Sequence, residues 1–197
     1  MTVPSEGATI MRVIPVEEHD LHPELAGFGE RLMPLVSDDW RPVWDRLIRM
    51  MGQAPEQALR LFPYYQGVWL ENRLGARLTE LVRMAIANQT RCPLCLDIRY
   101  PHATQDGATE EDIAAVARRD DAPFTPAEAA ALRFATDFGG NHHAIDDAHF
   151  AELREHFDDE QIVELMLLCA LALGIGRILM ITDLLTTSCP VRPAAVG

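Results

Sequence analysis

A Cys-x-x-Cys pair, Cys92 and Cys95, is the strongest chemical signal in the sequence. Pro93 follows the first cysteine and favours the first position of a helix, where a missing N–H costs nothing. Cys92 is then predicted at or near the N-cap, and Cys95 in the first helical turn. Cysteines in such positions have lowered pKa values, because the positive charge of the helix N-terminus stabilises the thiolate. The pair is therefore predicted to be a redox-active dithiol.

Two other interpretations of the pair stay open. The cysteines could be structural residues at the start of a helix, or they could supply half of a zinc site. The zinc interpretation needs two further ligands, and the sequence has no second Cys-x-x-Cys and no His-x-x-x-His. Cys169 lies in an apolar segment and is predicted to be a small core hydrophobe. Cys189 lies in the polar C-terminal tail, and both are left out of the predicted site.

Two charged residues accompany the pair. Glu80 lies on a segment whose apolar residues recur at three- and four-residue spacing, which predicts an amphipathic helix: Leu78, Leu81, Val82, Ala85 and Ile86. Arg99 follows Cys95 by four residues, so the two are predicted to share a helix face. A fixed positive charge there would favour the Cys95 thiolate, although a guanidinium cannot act as a general base.

These residues resemble the carboxymuconolactone decarboxylase family, and most closely its alkylhydroperoxidase D-like branch. The motif of that family is a Glu, eleven residues, Cys-x-x-Cys, three residues and a His. Glu80, Cys92 and Cys95 fall in register, whereas Arg99 stands at the His position, and Leu94 stands where the branch often has a further His. The resemblance in helix pattern runs from about residue 57 to residue 185. It implies an all-α fold, an alkylhydroperoxidase D-like helical bundle.

The resemblance also implies a chemistry. In the similar peroxidases the second cysteine attacks the peroxide and the first resolves it, so Cys95 would become a sulfenic acid and Cys92 would close the disulfide. Glu80 would take part in a proton relay. No cofactor is implied: no metal, flavin or haem. The electron donor would be a dithiol partner, and the protein would be a homo-oligomer, typically a trimer or hexamer.

Arg99 in place of the motif His leaves the proton source open. His102, His142 and His143 are candidates for the missing proton donor, although each could equally be a solvent-exposed loop residue. Arg99 could instead bind a substrate carboxylate, or it could form an ordinary ion pair with Asp97 or Glu80. Glu80 could likewise be a solvated carboxylate on the surface of a helix.

Three functions are compatible with these residues. The leading prediction is a thiol–disulfide oxidoreductase that reduces alkyl hydroperoxides. The first alternative is a carboxymuconolactone decarboxylase-like lyase that acts on a small carboxylate-bearing substrate, with Arg99 as the carboxylate ligand. The second is a non-catalytic helical oligomer whose dithiol senses redox state.

Composition narrows the possible partners and the compartment. The chain has 197 residues, 48% of them hydrophobic, and a net charge of −13. Because a protein with this negative charge repels phosphate groups, nucleic acids and membranes are not expected as partners. Four cysteines are too few for a disulfide scaffold, and residues 1–20 lack the pattern of a signal peptide. A cytoplasmic location is therefore predicted.

The pattern along the chain predicts helices throughout, because no stretch alternates with a period of two. The predicted domains are an N-terminal arm and helical extension (1–54), a helical domain (55–186) and a C-terminal tail (187–197). Capping signals predict helix starts at Thr109, at Thr125, near residue 146 and near residue 158, and Pro101 is predicted to break or kink the helix that carries the cysteines. The last helix, residues 162–185, has an uncharged run of only 12 residues, short of the roughly 18 that a membrane span needs. It is predicted to be buried by a neighbouring helix or subunit.

Overall fold

The computed structural model describes residues 12–182 and 184–185. Within these residues the chain forms α-helices joined by short turns and three 3-10 helices, and it has no β-strand. The predicted all-α fold is therefore confirmed. The helices are α1 (Pro23–Leu32), α2 (Arg41–Met51), α3 (Pro55–Leu70), α4 (Ala76–Thr90), α5 (Pro93–Asp97), α6 (Pro101–Gln105), α7 (Glu110–Arg118), α8 (Pro126–Gly140), α9 (Asp147–Arg154) and α10 (Asp159–Ile181).

Helix α4 is the centre of the bundle. It packs against α5, α6, α7, α8 and α10, and every residue from position 78 to position 87 is buried. The sequence pattern predicted one buried face, whereas α4 is buried on all sides over these residues. Its polar residues Thr79, Glu80 and Arg83 are buried with the apolar ones, and each needs a partner inside the protein.

The helix starts follow the capping signals. Thr109, Thr125, Asp146 and Asp158 are the N-caps of α7, α8, α9 and α10, and each forms a capping box with the residue three positions later. A capping box satisfies two free backbone N–H groups with side chains that are close in sequence. These starts are readable from the sequence because every atom involved lies within four residues.

The helix that carries the cysteines is shorter than predicted. Helix α5 ends at Asp97, and Ile98 and Tyr100 are extended (φ/ψ −58°/135° and −96°/116°). A residue that precedes a proline is sterically biased away from the helical region, and Pro101 then starts α6. The break predicted at Pro101 therefore begins three residues earlier, and Arg99 lies outside any helix.

The N-terminal helices pack onto the cysteine segment. Leu25 and Phe28 of α1 and Trp44 of α2 belong to one buried cluster with Cys92 and Leu94. The predicted boundary after residue 54 coincides with the turn between α2 and α3, and the division into domains stays a prediction.

Helix α10 has two different faces. Leu165, Leu168 and Cys169 are fully buried against the bundle, whereas Val163 and Leu167 are 48% and 44% exposed. By length and composition α10 is also apolar enough to cross a membrane, but its inner face is part of the protein core. Within the described residues, the predicted burial is therefore correct for the inner face of α10 and not for its outer face. The helix ends at Ile181 rather than at residue 185.

Candidate active site around Cys92 and Cys95

Cys92 and Cys95 are joined by a disulfide, with their Cα atoms 5.2 Å apart. Cys92 is the N-cap of α5 as predicted, and its sulfur accepts a hydrogen bond from the backbone N–H of Cys95 (3.2 Å). Cys92 is fully buried, whereas Cys95 is half-buried and lines a cavity. Because α5 has only five residues, its dipole is smaller than that of a full helix, and other groups must set the electrostatics of the pair.

Glu80 forms a buried ion pair with Arg83, one turn later on α4. The Nε of Arg83 donates to Oε2 of Glu80 (2.8 Å), and Nη2 donates to Oε1. The two side chains are 3% and 6% exposed. The interpretation of Glu80 as a solvated surface carboxylate is therefore wrong. Its predicted role in a proton relay stays a prediction.

Arg83 connects this ion pair to the cysteine segment. Its guanidinium donates to the backbone carbonyl of Cys95 and to that of Ile98 (2.8 Å), and it lies 5.3 Å from the ring centroid of Tyr100. These carbonyls lie at the end of the short helix α5, where no helical N–H is available to bond them. Arg83 therefore anchors the segment that carries the disulfide. The pairing of Arg83 with Glu80 could be predicted from the sequence, because residues three positions apart on a helix are neighbours.

Arg99 does not line the cavity that Cys95 lines. Its Nε and Nη2 donate to the two carboxylate oxygens of Glu110 (2.7 and 3.1 Å), and Nη1 bonds backbone carbonyls of residues 96–98. The predicted face shared by Arg99 and Cys95 is wrong, because α5 ends before Arg99. The predicted ion pair with Asp97 or Glu80 is also replaced by one with Glu110. The guanidinium near Cys95 belongs to Arg83 instead.

The cavity next to Cys95 is small and largely apolar. It has a volume of about 40 Å³ and is lined by Cys95, Arg83 and aromatic and aliphatic side chains from α2, α3, α4 and α10. Tyr65 and Tyr100 also line it, and their hydroxyls are 2.9 Å apart. Burial raises the pKa of Tyr65, and it raises the pKa of Tyr100 well above its ordinary value. Both hydroxyls therefore stay protonated in the cavity.

Trp69 is a further residue of the candidate site, and its local sequence does not indicate that role. It is buried, and its ring stacks on that of Tyr100 with centroids 5.9 Å apart. The buried Nε1 of Trp69 lies near the Tyr65 hydroxyl and opposes, to a small extent, the rise in the pKa of Tyr65 that burial causes. The Nε1 group has no partner in regular hydrogen-bonding geometry. Trp69 thus places an unused buried donor beside the cavity. No local pattern reveals Tyr65, Trp69 and Tyr100, because α3 and α6 meet only in the folded chain.

The predicted histidines lie elsewhere. His102 is half-buried, with its ring 5.6 Å from that of Tyr100, and it lines a neighbouring pocket rather than the Cys95 cavity. His142 and His143 are exposed in a 3-10 turn between α8 and α9. Their predicted role as proton donors stays a prediction, but none of the three lines the cavity around Cys95.

Cys169 takes no part in the candidate site. Cys169 is fully buried in α10, and burial raises the pKa of its thiol. Cys189 lies outside the described residues. Across residues 12–182 and 184–185, no group of three or more His, Cys, Asp or Glu side chains is placed to hold a metal ion.

Comparison with known proteins supports the resemblance read from the motif. Residues 55–137 match the carboxymuconolactone decarboxylase family. The fold is similar to the debrominase Bmp8, in a cysteine-to-alanine variant bound to 2,3,4-tribromopyrrole, with 18% identity over 90% of this chain and 92% of that one and a TM-score of 0.70. It is also similar to an alkylhydroperoxidase AhpD core protein from Ralstonia eutropha JMP134, with 19% identity over 87% of this chain and 90% of that one and a TM-score of 0.64. A third similar structure is a peroxidase-related protein from Silicibacter sp. TM1040, with 15% identity over 87% of this chain and 91% of that one and a TM-score of 0.63. No curated protein sequence matches significantly.

Proposed function

Taking the match of residues 55–137 to the carboxymuconolactone decarboxylase family as the premise, we propose that this protein is a dithiol oxidoreductase that reduces organic hydroperoxides at Cys95. The observation that carries the proposal is the Cys92–Cys95 disulfide at the edge of a small apolar cavity, which the half-buried Cys95 lines. A redox pair of this kind needs one accessible sulfur to react and one shielded sulfur to resolve.

The reaction balances with the two cysteines alone. In the reduced protein, the Cys95 thiolate attacks the terminal oxygen of the hydroperoxide, the O–O bond breaks, and Cys95 becomes a sulfenic acid. The leaving alkoxide takes a proton and departs as an alcohol. The Cys92 thiol then attacks the sulfenic sulfur, which releases water and forms the disulfide. A dithiol donor returns two electrons and two protons by thiol–disulfide exchange.

Tyr65 and Tyr100 are the proposed source of the proton for the alkoxide. They line the Cys95 cavity, and burial keeps both hydroxyls protonated. An alkoxide is a strong base, and a neutral tyrosine hydroxyl beside it can donate a proton as a general acid. In this proposal the tyrosine pair takes the role that the motif assigns to a histidine at position 99.

Arg83 would favour the reacting state through its charge. It is a permanent cation that bonds the Cys95 carbonyl, and it would offset part of the negative charge of the Cys95 thiolate. Glu80 partly neutralises this effect and keeps the guanidinium in place. Both residues are proposed as positioning residues, because neither has a shown contact with the Cys95 sulfur.

A second candidate reaction is reductive dehalogenation. The similar fold of a debrominase bound to a brominated pyrrole and the aromatic walls around Cys95 favour it. The same dithiol supplies the two electrons that replace a carbon–halogen bond by a carbon–hydrogen bond, with release of halide and formation of the disulfide. The lyase alternative is weaker, because Arg99, its carboxylate ligand, is engaged by Glu110.

Partners and location are part of the proposal. We expect a dithiol protein as the electron donor, a cytoplasmic location and a homo-oligomer, a trimer or a hexamer. The exposed apolar face of α10, which includes Val163 and Leu167, supports self-association, because contiguous exposed apolar surface usually marks an interface.

The test is a single-turnover experiment with reduced protein. One equivalent of cumene hydroperoxide should remove two thiols per chain and yield one equivalent of cumyl alcohol, and 2,3,4-tribromopyrrole in a parallel reaction should show whether dehalogenation competes. Cys95→Ser should abolish product formation, whereas Cys169→Ser, which changes a buried cysteine outside the site, should leave it intact. Unchanged turnover in the Cys95→Ser variant would exclude the proposal. Slow thiol loss without product would favour a redox sensor.

A further inference from the structure

A pocket of about 410 Å³ lies beside the Cys95 cavity, between the N-terminal helices and the family-matched region. Phe28 on α1, Leu32 at its end and Leu35 in the following 3-10 turn form one side, and α3 and α6 form the other. Its volume falls within the range of about 300–1,000 Å³ that is typical of small-molecule sites. The lining is mostly apolar with a few polar side chains, which is also typical of such sites.

The pocket and the Cys95 cavity share a wall. Three aromatic side chains line both spaces: Tyr65, Trp69 and Tyr100. The cavity of about 40 Å³ has room for only about three water-sized groups, so it admits the reacting group of a substrate but not its body. The body of any organic substrate must therefore occupy adjoining space, and the larger pocket adjoins the cavity at these three side chains.

One charged group in the pocket has no carboxylate partner. The guanidinium of Arg31 packs over the Phe28 ring at 5.9 Å, and within the described residues no carboxylate lies at ion-pair distance from it. Arg31 is exposed, so its charge is solvated in the free protein and open to an anionic ligand. A carboxylate at this end of the pocket would form a charge-assisted hydrogen bond with the guanidinium.

We infer that this pocket binds the body of the substrate, and that the substrate is an aromatic hydroperoxide bearing a carboxylate. The ring packs against Tyr65, Trp69 and Tyr100, the carboxylate pairs with Arg31, and the hydroperoxide group reaches Cys95. Aromatic rings favour offset stacking and edge contacts, which the shared wall offers on several sides. The inference rests on the proposed peroxidase function and adds the substrate class.

The kinetic test compares three oxidants of increasing complexity: hydrogen peroxide, cumene hydroperoxide and cumene hydroperoxide with a para carboxylate. Arg31→Gln should raise KM for the carboxylated compound about tenfold and leave KM for the neutral one within twofold, because a charge-assisted contact is lost. Arg60→Gln is the matched control, since Arg60 is an exposed arginine outside the pocket that pairs with Glu56. Equal effects on the two aromatic compounds, or no effect, would overturn the inference.

A second variant tests the pocket volume without changing charge. Leu32→Trp fills the pocket and should lower kcat/KM for cumene hydroperoxide at least tenfold, while kcat/KM for hydrogen peroxide, which fits the small cavity alone, stays within twofold. A parallel loss with both oxidants would show damage to the Cys95 site, and no loss with either would show that the pocket is not used. Either result would contradict the inference.

A binding measurement separates failure of the pocket from failure of the proposed function. Calorimetric titration of the disulfide form with 4-isopropylbenzoate requires no turnover. Binding that Arg31→Gln weakens about tenfold, with no hydroperoxide reduced by any variant, would support the pocket and exclude the peroxidase. Absent binding, or binding that Arg31→Gln leaves unchanged, would overturn the pocket even if hydroperoxides are reduced.

Discussion

The side chain of Arg83 on α4 donates a hydrogen bond to the backbone carbonyl of Cys95, twelve residues later in the sequence. The same guanidinium is held by Glu80, so a buried ion pair fixes the segment that carries the disulfide. A buried charge is tolerated only when it is paired and hydrogen-bonded. Glu80 and Arg83 satisfy each other, and the carbonyls of Cys95 and Ile98 take the remaining donors.

Replacing Arg83 by Met should destabilise the protein strongly. Glu80 would remain buried without a partner, and loss of one member of a buried ion pair typically costs about 3–5 kcal/mol. Equilibrium unfolding in urea measures the change. Arg118→Gln is the control, since it removes an ion pair between the exposed Arg118 and Glu111 and should cost less than about 1 kcal/mol. Similar losses in the two variants would mean that the Glu80–Arg83 pair contributes no more to the free energy of unfolding than an exposed ion pair does.

Replacing Tyr100 by Phe should slow hydroperoxide reduction while the fold persists. General acid help is typically worth about 10²–10⁴-fold, and partial substitution by Tyr65 should keep the loss in kcat near the lower value. Stopped-flow measurement of thiol oxidation reports the step directly. Tyr64→Phe, which changes an exposed tyrosine, is the matched control. Since burial raises the pKa of Tyr100 well above its usual value of about 10, turnover should also not fall through tyrosine ionisation at pH 10.

Cys95 should be the first cysteine to react with peroxide. It lines the cavity and is half-buried, whereas Cys92 is fully buried. In the Cys92→Ser variant, mass spectrometry after mild peroxide treatment should find Cys95 as sulfenic acid, because no thiol can resolve it. In the reciprocal Cys95→Ser variant Cys92 should stay reduced. Oxidation of Cys92 with an inert Cys95 would reverse the assignment.

Stability should depend on Asp112 at acid pH. Hydrogen bonds from Arg77 lower the pKa of Asp112 to about 2, although partial burial opposes this shift. An unfolded Asp has a pKa of about 3.9, so the ionised carboxylate stabilises the fold above about pH 4, and this contribution is lost as the pH falls through about 2. Asp112→Asn should lower the free energy of unfolding at pH 7 by roughly 2 kcal/mol or more, and the deficit should shrink toward pH 2. Glu111→Gln, at an exposed neighbour, is the control for thermal melts across this range.

Self-association should depend on the outer face of α10. Leu167 is 44% exposed, and a Cβ added to Gly174 would meet no atom within 4 Å, so neither position is constrained by the single chain. Leu167→Glu should therefore shift the molar mass in light scattering toward the 22.0 kDa monomer without changing the helical circular dichroism signal. Ala151→Glu, at an exposed position of α9, should keep the assembly. A wild-type protein that is already monomeric at micromolar concentration would disprove self-association.

Local features of the chain were sufficient to predict much of the fold. The N-cap of α5 at Cys92, the starts of α7 to α10 and the all-α class follow from caps, prolines and apolar spacing, all of which act over a few residues. The motif spacing of Glu80, Cys92 and Cys95 likewise identified the segments that meet at the site. These interactions are short-range, so they need no knowledge of how the helices pack.

Tertiary structure alone decided which groups surround Cys95. Arg99 was expected there because helical spacing was extended past Asp97, where the chain turns out of the helix before Pro101. Arg83 takes the position instead, because α4 is buried on every side and its charges must find partners within the core. Tyr65 and Tyr100 come together from elements 35 residues apart, and no local pattern encodes such a contact. Long-range packing is set by the summed fit of all the helices, which is why the sequence identified the cysteines but not the residues that surround them.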